Sequence, residues 1–519
     1  MKNLIVKAFI NFSFWTALSR IFGFVRDVLI AASLGAGPLS DAFFVAFKLP
    51  NMFRRLVAEG ALVQSFLPTF THIEKTQSKQ QSEEFASNVQ SIILFYILIF
   101  IILAEIFMSY IIFGLAPGFI KNTEVFEIAV FFARATIIYL PMLSLIAIWG
   151  SVLQSSGKFM PSAATPIILN ISLIIASILI LTLKQSDFII ALSVPFAGIL
   201  QLTFLFYCIK KQNIFLKIVI PKRSFDYHGV WKKFLPAAFG AGVLQVNLLV
   251  DTILASIVGA SSISYLYYAD RLSQLPLGII GVALGTALLP NLSKAETRNE
   301  IIFIRESIEK SLVVGLMFSI PACFAFLAIP EILIEGIYAR GAFEKNDIYN
   351  VSIALSAYGL GIPAFISIKI FQSSFFAMHN TLTPFRISIF SVTINIVLSI
   401  LLMQKFGFYG IALATSIASY LTLICYFILL NSKQRVSYNI MKPLIILLFL
   451  GFCFYFILFE LLSIFGNLNL ILSLILIIFI SMIIWFFAMI VFRFIKINSI
   501  KNIFIILKET LCFEFNNMK

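Results

Sequence analysis

The sequence predicts an all-α polytopic membrane protein with about fourteen transmembrane helices, built as two parallel six-helix lobes followed by two C-terminal helices. Three observations predict it. Hydrophobic residues make up 60% of the 519 and charged ones 12%, with a mean hydropathy of +1.01, whereas a soluble domain carries roughly 25% charged residues. Apolar stretches of about 20 residues or more, the length that spans ~30 Å of hydrocarbon, recur from end to end. The two halves of the chain also repeat one another in order.

The stretches run 4–33, 39–70, 86–115, 126–153, 161–183, 187–209, 231–258, 263–291, 307–329, 349–377, 383–403, 407–430, 441–463 and 469–495. In the first, Arg20, Arg26 and Asp27 interrupt what would be the apolar core of a cleavable signal, so it reads as a resident span. A cytoplasmic N-terminus leaves about 25 Lys and Arg in inner loops and tails, the distribution that orients a polytopic protein. Outer loops then hold Lys121, Lys184, Arg340, Lys345 and Lys405. The inner loop 210–233 alone holds Lys210, Lys211, Lys217, Lys222, Arg223, Lys232 and Lys233. An even number of spans returns the C-terminus to the cytoplasm. The formal charge of +14 therefore reports topology and not nucleic acid, for which no basic soluble domain is present.

A shift of 224 residues aligns RDVLIAASLGAGPLSDAFF (26–44) with VDTILASIVGASSISYLYY (250–268), matching Asp27 with Asp251, Gly35 with Gly259 and Ser40 with Ser264. Further on, FLP at 66–68 meets LLP at 288–290, LQSS at 153–156 meets FQSS at 371–374, and Asn170 meets Asn395. Chance similarity among small and apolar residues is the competing explanation, and the conserved order of the Asp, Gly and Pro matches speaks against it. A six-helix repeat has an even number of spans, so the halves are parallel and related by an axis along the membrane normal, which is a transporter architecture. The expected organisation is an N-lobe over 1–210, a C-lobe over 211–432, two further helices over 433–496 and a tail over 497–519. In the tail, Ile500, Ile503, Phe504, Leu507 and Leu511 share one helical face, as in a helix lying on the inner membrane surface.

Pro50, Pro141, Pro276, Pro321 and Pro363 fall inside spans, and Gly278, Gly281 and Gly285 follow Pro276. Such positions serve either as hinges or as ordinary packing sites. The five cysteines form no CxxC pair, and His72, His228 and His379 are isolated, so neither a disulfide framework nor a transition-metal site is expected. No GxxxxGK[ST] phosphate loop and no acidic soluble loop is present, which argues against ATP hydrolysis and against an enzyme.

The informative residues are buried cations. Arg20 and Arg26 lie in the first stretch, Lys48, Arg54 and Arg55 in the second, and Arg271 in the stretch that mirrors the second, with Arg134 and Lys369 more scattered. A guanidinium at the bilayer centre costs at least ~3 kcal/mol, so these side chains should line a wet cavity. Arg20 and Arg26 diverge by about 120° around their helix and line different flanks of such a cavity. Arg26 with Asp27, Arg55 with Glu59 or Asp41, and Arg271 with Asp270 could each be a neutralised pair that only fixes packing. The surplus of cations over anions points instead to an anionic ligand, and the Arg fork suits phosphate or diphosphate oxygens. Asp251 is a lone carboxylate near Gln245, Asn247 and Thr252, with Asn395, Ser399 and Thr415 at helical spacing further on. Such oxygens suit a hard cation, and a hydrogen-bonded structural aspartate is the alternative.

The runs SRIFGFVRDVLIAASLGAG (19–37), DAFFVAFKLPNMFRRLVAEGALVQSFLP (41–68) and YYADRLSQLPLGIIGVALGTALLPNLSK (267–294) resemble the MurJ (MviN) family of lipid II flippases, within the multidrug/oligosaccharidyl-lipid/polysaccharide exporter superfamily. The resemblance extends over twelve spans and the count of fourteen. It implies an inner-membrane protein that moves undecaprenyl-diphosphate-linked peptidoglycan precursor to the periplasmic leaflet by alternating access, for cell wall synthesis, with lipid II and membrane lipids as partners. Cell-wall synthesis machinery is a further candidate partner. The family's cavity arginines map onto Arg20, Arg26, Arg54 and Arg271, and its acidic partners onto Asp27, Asp41 and Glu59. Its cation-site pattern matches at Asp251, Asn395 and Thr415, which implies Na+ as coupling ion and no other cofactor, while Ser399 stands where an acidic ligand occurs in the pattern. Gln274 replaces a glutamate found in some members. The last two helices correspond to a lipid-tail groove. Alternatives are an exporter of another polyprenyl-diphosphate-linked glycan, or a cation-coupled drug exporter of the same superfamily, which should have an acidic cavity.

Overall fold

The computed structural model describes residues 2–55, 62–184, 186–220, 242, 245–433, 435–466, 468–492 and 494, and the backbone alone for residues 2–13 and 64. Among these, every long element is a helix: α1 (Lys2–Leu34), α2 (Pro38–Phe53), α3 (Leu62–Thr76), α4 (Lys79–Ile106), α5 (Met108–Leu115), α6 (Thr123–Ile137), α7 (Tyr139–Ser155), α8 (Met160–Leu183) and α9 (Ile189–Lys211). There follow α10 (Gln245–Val258), α11 (Ser262–Pro276), α12 (Val282–Thr297), α13 (Ile301–Ala328), α14 (Pro330–Tyr338), α15 (Lys345–Gly359), α16 (Ile362–Ala377), α17 (Leu382–Phe406), α18 (Phe408–Ser432), α19 (Met441–Phe465) and α20 (Leu470–Val491).

With α6 and α7 counted as one continuous helix, and α11 and α12 as another, ten described helices are long and apolar enough to cross a membrane, or eleven if α15 and α16, bent by 41°, form one broken span. The other stretches read from the sequence are the polar early ones and the seventh. α1 carries Arg20, Arg26 and Asp27, the stretch 39–70 is divided between α2 and α3 around residues outside the description, and 231–258 is described mainly from Gln245 onward. Helices suit this solvent because their backbone groups bond within the element. Local sequence sets their ends. Asn122 accepts the Val125 N–H ahead of α6, Gly35 leaves α1 with φ +67°, and Pro38 opens α2, where its missing N–H is not needed.

The chain forms two compact units. The first comprises Met1–Asp270, Ile337–Ala354 and Phe385–Ala418, and so holds residues from both repeats. Within it α1 packs along α8, α2 along α6 and α8 along α9. At Gly23 α1 passes Asn170 of α8 at ordinary packing distance, where a methyl group would stand 3.5 Å from Nδ2. Phe66, Phe85, Ile148 and Leu205 join α3, α4, α7 and α9 in an apolar core. Buried polar groups there also bond one another, as where Tyr139 donates to Gln201 Oε1 and Gln201 donates to the Thr165 carbonyl, both at 2.7 Å.

The second unit comprises Arg271–Gly336, Leu355–Pro384 and Ser419–Lys519. Here α13 packs on α16 and α19, and Trp485 of α20 donates to the Met317 carbonyl of α13 at 2.8 Å. A π-helical turn at Leu277–Gly281 follows Pro276, whose missing N–H breaks the regular ladder. Gly281 and Gly285 are packing positions: methyl groups there would meet Leu277 and Ile366, and Ser373 and the Lys369 carbonyl, respectively. Arg435 forks onto Glu296 at 2.6 and 2.8 Å and fixes the link between α18 and α19.

Candidate functional site

Arg26 is the best-organised cation of the first unit. Its Nε and Nη2 both donate to Asp27 Oδ1, at 2.9 and 2.6 Å, and its Nη1 donates to Asn170 Oδ1 at 3.0 Å. Asn170 in turn donates to the Ser19 carbonyl at 3.0 Å, and Tyr267 of α11 donates its hydroxyl to Asp27 Oδ1 at 3.2 Å. The Arg26 and Asp27 side chains are only 11% and 5% exposed. The guanidinium plane is thus held by Asp27 of α1 and Asn170 of α8, with Tyr267 of α11 behind Asp27, the preorganisation that anion recognition requires.

Arg20 lies on the same helix with an exposed side chain, and Arg54, beside Arg55 and just beyond α2, donates to Asn51 at 2.9 Å. Glu59 lies outside the described residues. Asp41 serves a different role from a charge partner of Arg54 or Arg55. It is fully buried, and its Oδ1 accepts the Ser264 N–H at 2.7 Å and the Ser264 hydroxyl at 2.5 Å, capping α11. Asp270 ends the first unit, while Arg271 and Gln274 belong to the second. Arg134 pairs with Glu105 at 3.6 Å.

Asp251 lies in α10. Its Oδ2 accepts from Asn247 and its Oδ1 from Asn395, both at 3.3 Å, while Asn395 also donates to Asn247 Oδ1 at 2.8 Å. Asn395 Oδ1 and, one turn on, Ser399 Oγ are buried with no hydrogen-bond partner. Thr415 returns its hydroxyl to the Ile411 carbonyl at 3.2 Å. Beside this group, Lys48 Nζ donates to Thr252 Oγ1 at 2.6 Å. Among the described residues no cluster of three His, Cys, Asp or Glu could hold a metal.

A set of contacts closes the turn between α1 and α2 against residues of the second repeat. Besides Asp41 with Ser264, Tyr268 donates to the Gly35 carbonyl at 3.0 Å, and Asp347 accepts from Tyr265 and from Ala36, at 3.3 and 3.4 Å. Ala342 donates its N–H to the Ala32 carbonyl at 2.7 Å. Phe44 stacks on Tyr267 with centroids 3.8 Å apart.

Sequence reasoning missed the parts of Asn170, Tyr267 and Asp347. Asn170 was findable, because it matches Asn395 in the repeat as Asp27 matches Asp251. In each half an amide of one helix meets the aspartate of another, through Arg26 in the first half and directly in the second. Tyr267 lies in the matched run, but nothing in its spacing names a partner. Asp347 has no counterpart in the runs that align.

A family model described as lipid II flippase MurJ matches residues 30–504. The probable lipid II flippase MurJ of Rickettsia prowazekii is 38% identical over 411 residues, covering 79% of this chain and 81% of that protein. That of Rhizobium tropici is 34% identical over 440 residues, covering 84% and 82%. Among solved structures, a lipid II flippase MurJ in an inward closed conformation is similar with a TM-score of 0.79 at 28% identity, over 93% of this chain and 99% of that one. An inward-facing multidrug resistance MATE family transporter, with a TM-score of 0.67 at 13% identity over 82% and 96%, shares the fold alone.

Proposed function

The chain belongs to the lipid II flippase MurJ family, and from that membership we infer that it moves lipid II, the undecaprenyl-diphosphate-linked peptidoglycan precursor, across the bacterial inner membrane by alternating access. It is a transporter and not an enzyme. In this reading Arg20, Arg26, Arg54 and Arg271 bind the diphosphate, and the observation that supports it most is the Arg26 fork held by Asp27 and Asn170. A guanidinium already oriented loses little freedom when phosphate oxygens arrive.

The full topology in this reading is fourteen spans with both termini cytoplasmic and lobes over 1–210 and 211–432. The headgroup enters the cavity while the polyprenyl tail stays in lipid along 433–496, where Phe452, Phe456, Phe479 and Met482 are exposed. The cluster of Asp41, Ser264, Gly35 and Tyr268 then closes the periplasmic face, and must part for release. With the inside negative, outward movement of an anionic headgroup is favoured by up to ~2.3 kcal/mol per charge per 100 mV.

Asp251, Asn395, Ser399 and Thr415 are suited to Na+. The repeat supports this: Val250 stands where the first half has Arg26, so the second half has the aspartate and the amide without the guanidinium between them. The orphaned oxygens of Asn395 and Ser399 fit a hard cation that supplies that charge. Bound Na+ would shift the conformational balance by its differential affinity for the two states.

The test is leaflet exchange of labelled lipid II, beside another diphosphate-linked glycolipid, in cells depleted of this protein. Loss of lipid II exchange alone supports the reading. Loss of the other glycolipid alone identifies a different exporter, and unchanged exchange of both rejects the function.

A further inference from the structure

We propose that Tyr267 is a positioning residue that couples occupation of the diphosphate site to opening of the closed face. Two contacts meet in this one side chain. Its hydroxyl donates to Asp27 Oδ1, the same oxygen that receives Nε and Nη2 of Arg26. Its ring stacks on Phe44 of α2 at 3.8 Å and 19°. The first turns of α11 hold the α1–α2 segment at three points: Ser264 to Asp41, Tyr268 to Gly35, and Tyr267 to Phe44. Of these three α11 residues, Tyr267 is the one that also donates to the Arg26 partner.

The coupling follows from charge. While Arg26 neutralises Asp27, the buried carboxylate is satisfied in place and the tyrosine bond costs nothing more to keep. A diphosphate that draws the guanidinium toward itself leaves Asp27 with less compensation in a nearly buried position, where an underpaired carboxylate is unfavourable. Asp27 then gains by hydration, which requires α11 to part from α1 and α2. By linkage, what the headgroup does to the closed face, the closed face does to headgroup affinity. The inference rests on Arg26 meeting the diphosphate.

The test uses the full chain in membranes, with Ala36→Cys as reporter, since Ala36 is 1% exposed and its N–H bonds Asp347 in the closed face. Labelling by an impermeant thiol reagent is measured with and without lipid II, beside transport rate against lipid II content. The parent should label faster with lipid II by about five-fold, the low end of ordinary coupling. Tyr267→Phe, which keeps the ring, should show the same labelling rate in both conditions, with a lower maximal transport rate and a half-saturating lipid II content within two-fold of the parent. Phe44→Leu, which keeps the hydroxyl, should retain the lipid II response. Should Tyr267→Phe accumulate poorly, a Phe44→Leu chain that has lost the response overturns the proposal, and one that keeps it supports the hydroxyl as the link. A Tyr267→Phe chain that responds and transports like the parent overturns it outright. If a chain with Arg26→Ala and Asp27→Asn together also transports like the parent, the diphosphate reading fails as well; if that chain reaches the parent level and is inactive, only the coupling through Tyr267 is lost.

Discussion

The carbonyl of Ala32 accepts the backbone N–H of Ala342 at 2.7 Å, and 224 residues on the equivalent positions also meet, where the Ser256 hydroxyl accepts the Gly118 N–H at 3.3 Å. Ala32 and Ser256 are equivalent in the repeat, as are Gly118 and Ala342, so each half seats its loop on the end of the other half's first helix. The seats are tight. A methyl group at Gly118 would overlap the Ser256 carbonyl, and one at Gly341, where φ is +60°, would overlap that of Ala32.

Gly118→Ala and Gly341→Ala should therefore each loosen the closed face, by about 1–3 kcal/mol as for other overpacked contacts. The check is labelling of Ala36→Cys in the absence of lipid II, which should rise in both variants. Parent-like labelling in both would show that the loops do not hold this face.

Arg26→Ala should lose lipid II transport and also membrane level, because it removes the charge partner of the buried Asp27, and breaking a buried pair costs about 3–5 kcal/mol. Adding Asp27→Asn should restore the level without restoring transport. Arg20→Ala, at an exposed side chain, should keep its level throughout. Arg26→Lys should rescue poorly, since a point charge cannot make the fork. Immunoblots beside lipid II exchange separate these outcomes, and full transport by a chain lacking both Arg26 and Arg271 would reject the diphosphate site.

Single cysteines replacing Lys121 and Arg340 should react with an impermeant reagent from outside the cell, and one replacing Lys222 should not. The reverse pattern would invert the topology.

Asp251→Asn should weaken the effect of Na+ on accessibility of a cavity cysteine without preventing insertion. Ser399→Ala should leave levels unchanged, because its hydroxyl has no hydrogen-bond partner to lose, and should lower Na+ affinity. Equal accessibility in Na+ and K+, in the parent and in Asp251→Asn alike, would make Asp251 a packing residue and leave the membrane potential as the drive.

The sequence by itself determined the solvent, the helices and the repeat. Hydropathy over about 20 residues reports burial in hydrocarbon whatever the neighbours do, and Asp27, Gly35 and Asn170 find their mates by order alone. It also identified the arginines, because a cation in an apolar stretch is costly without a use. Only the tertiary structure decided which groups meet. Arg26 reaches Asn170 across 144 residues, Asp41 reaches Ser264 across 223, and Tyr267 reaches Asp27 across 240. Helical periodicity places a side chain on a face, but the rotation and depth of each helix against its neighbours come from packing, as where α1 lies along α8. Asp41 shows the limit most plainly: its charge suggested an arginine partner, and packing assigned it to the first turn of α11.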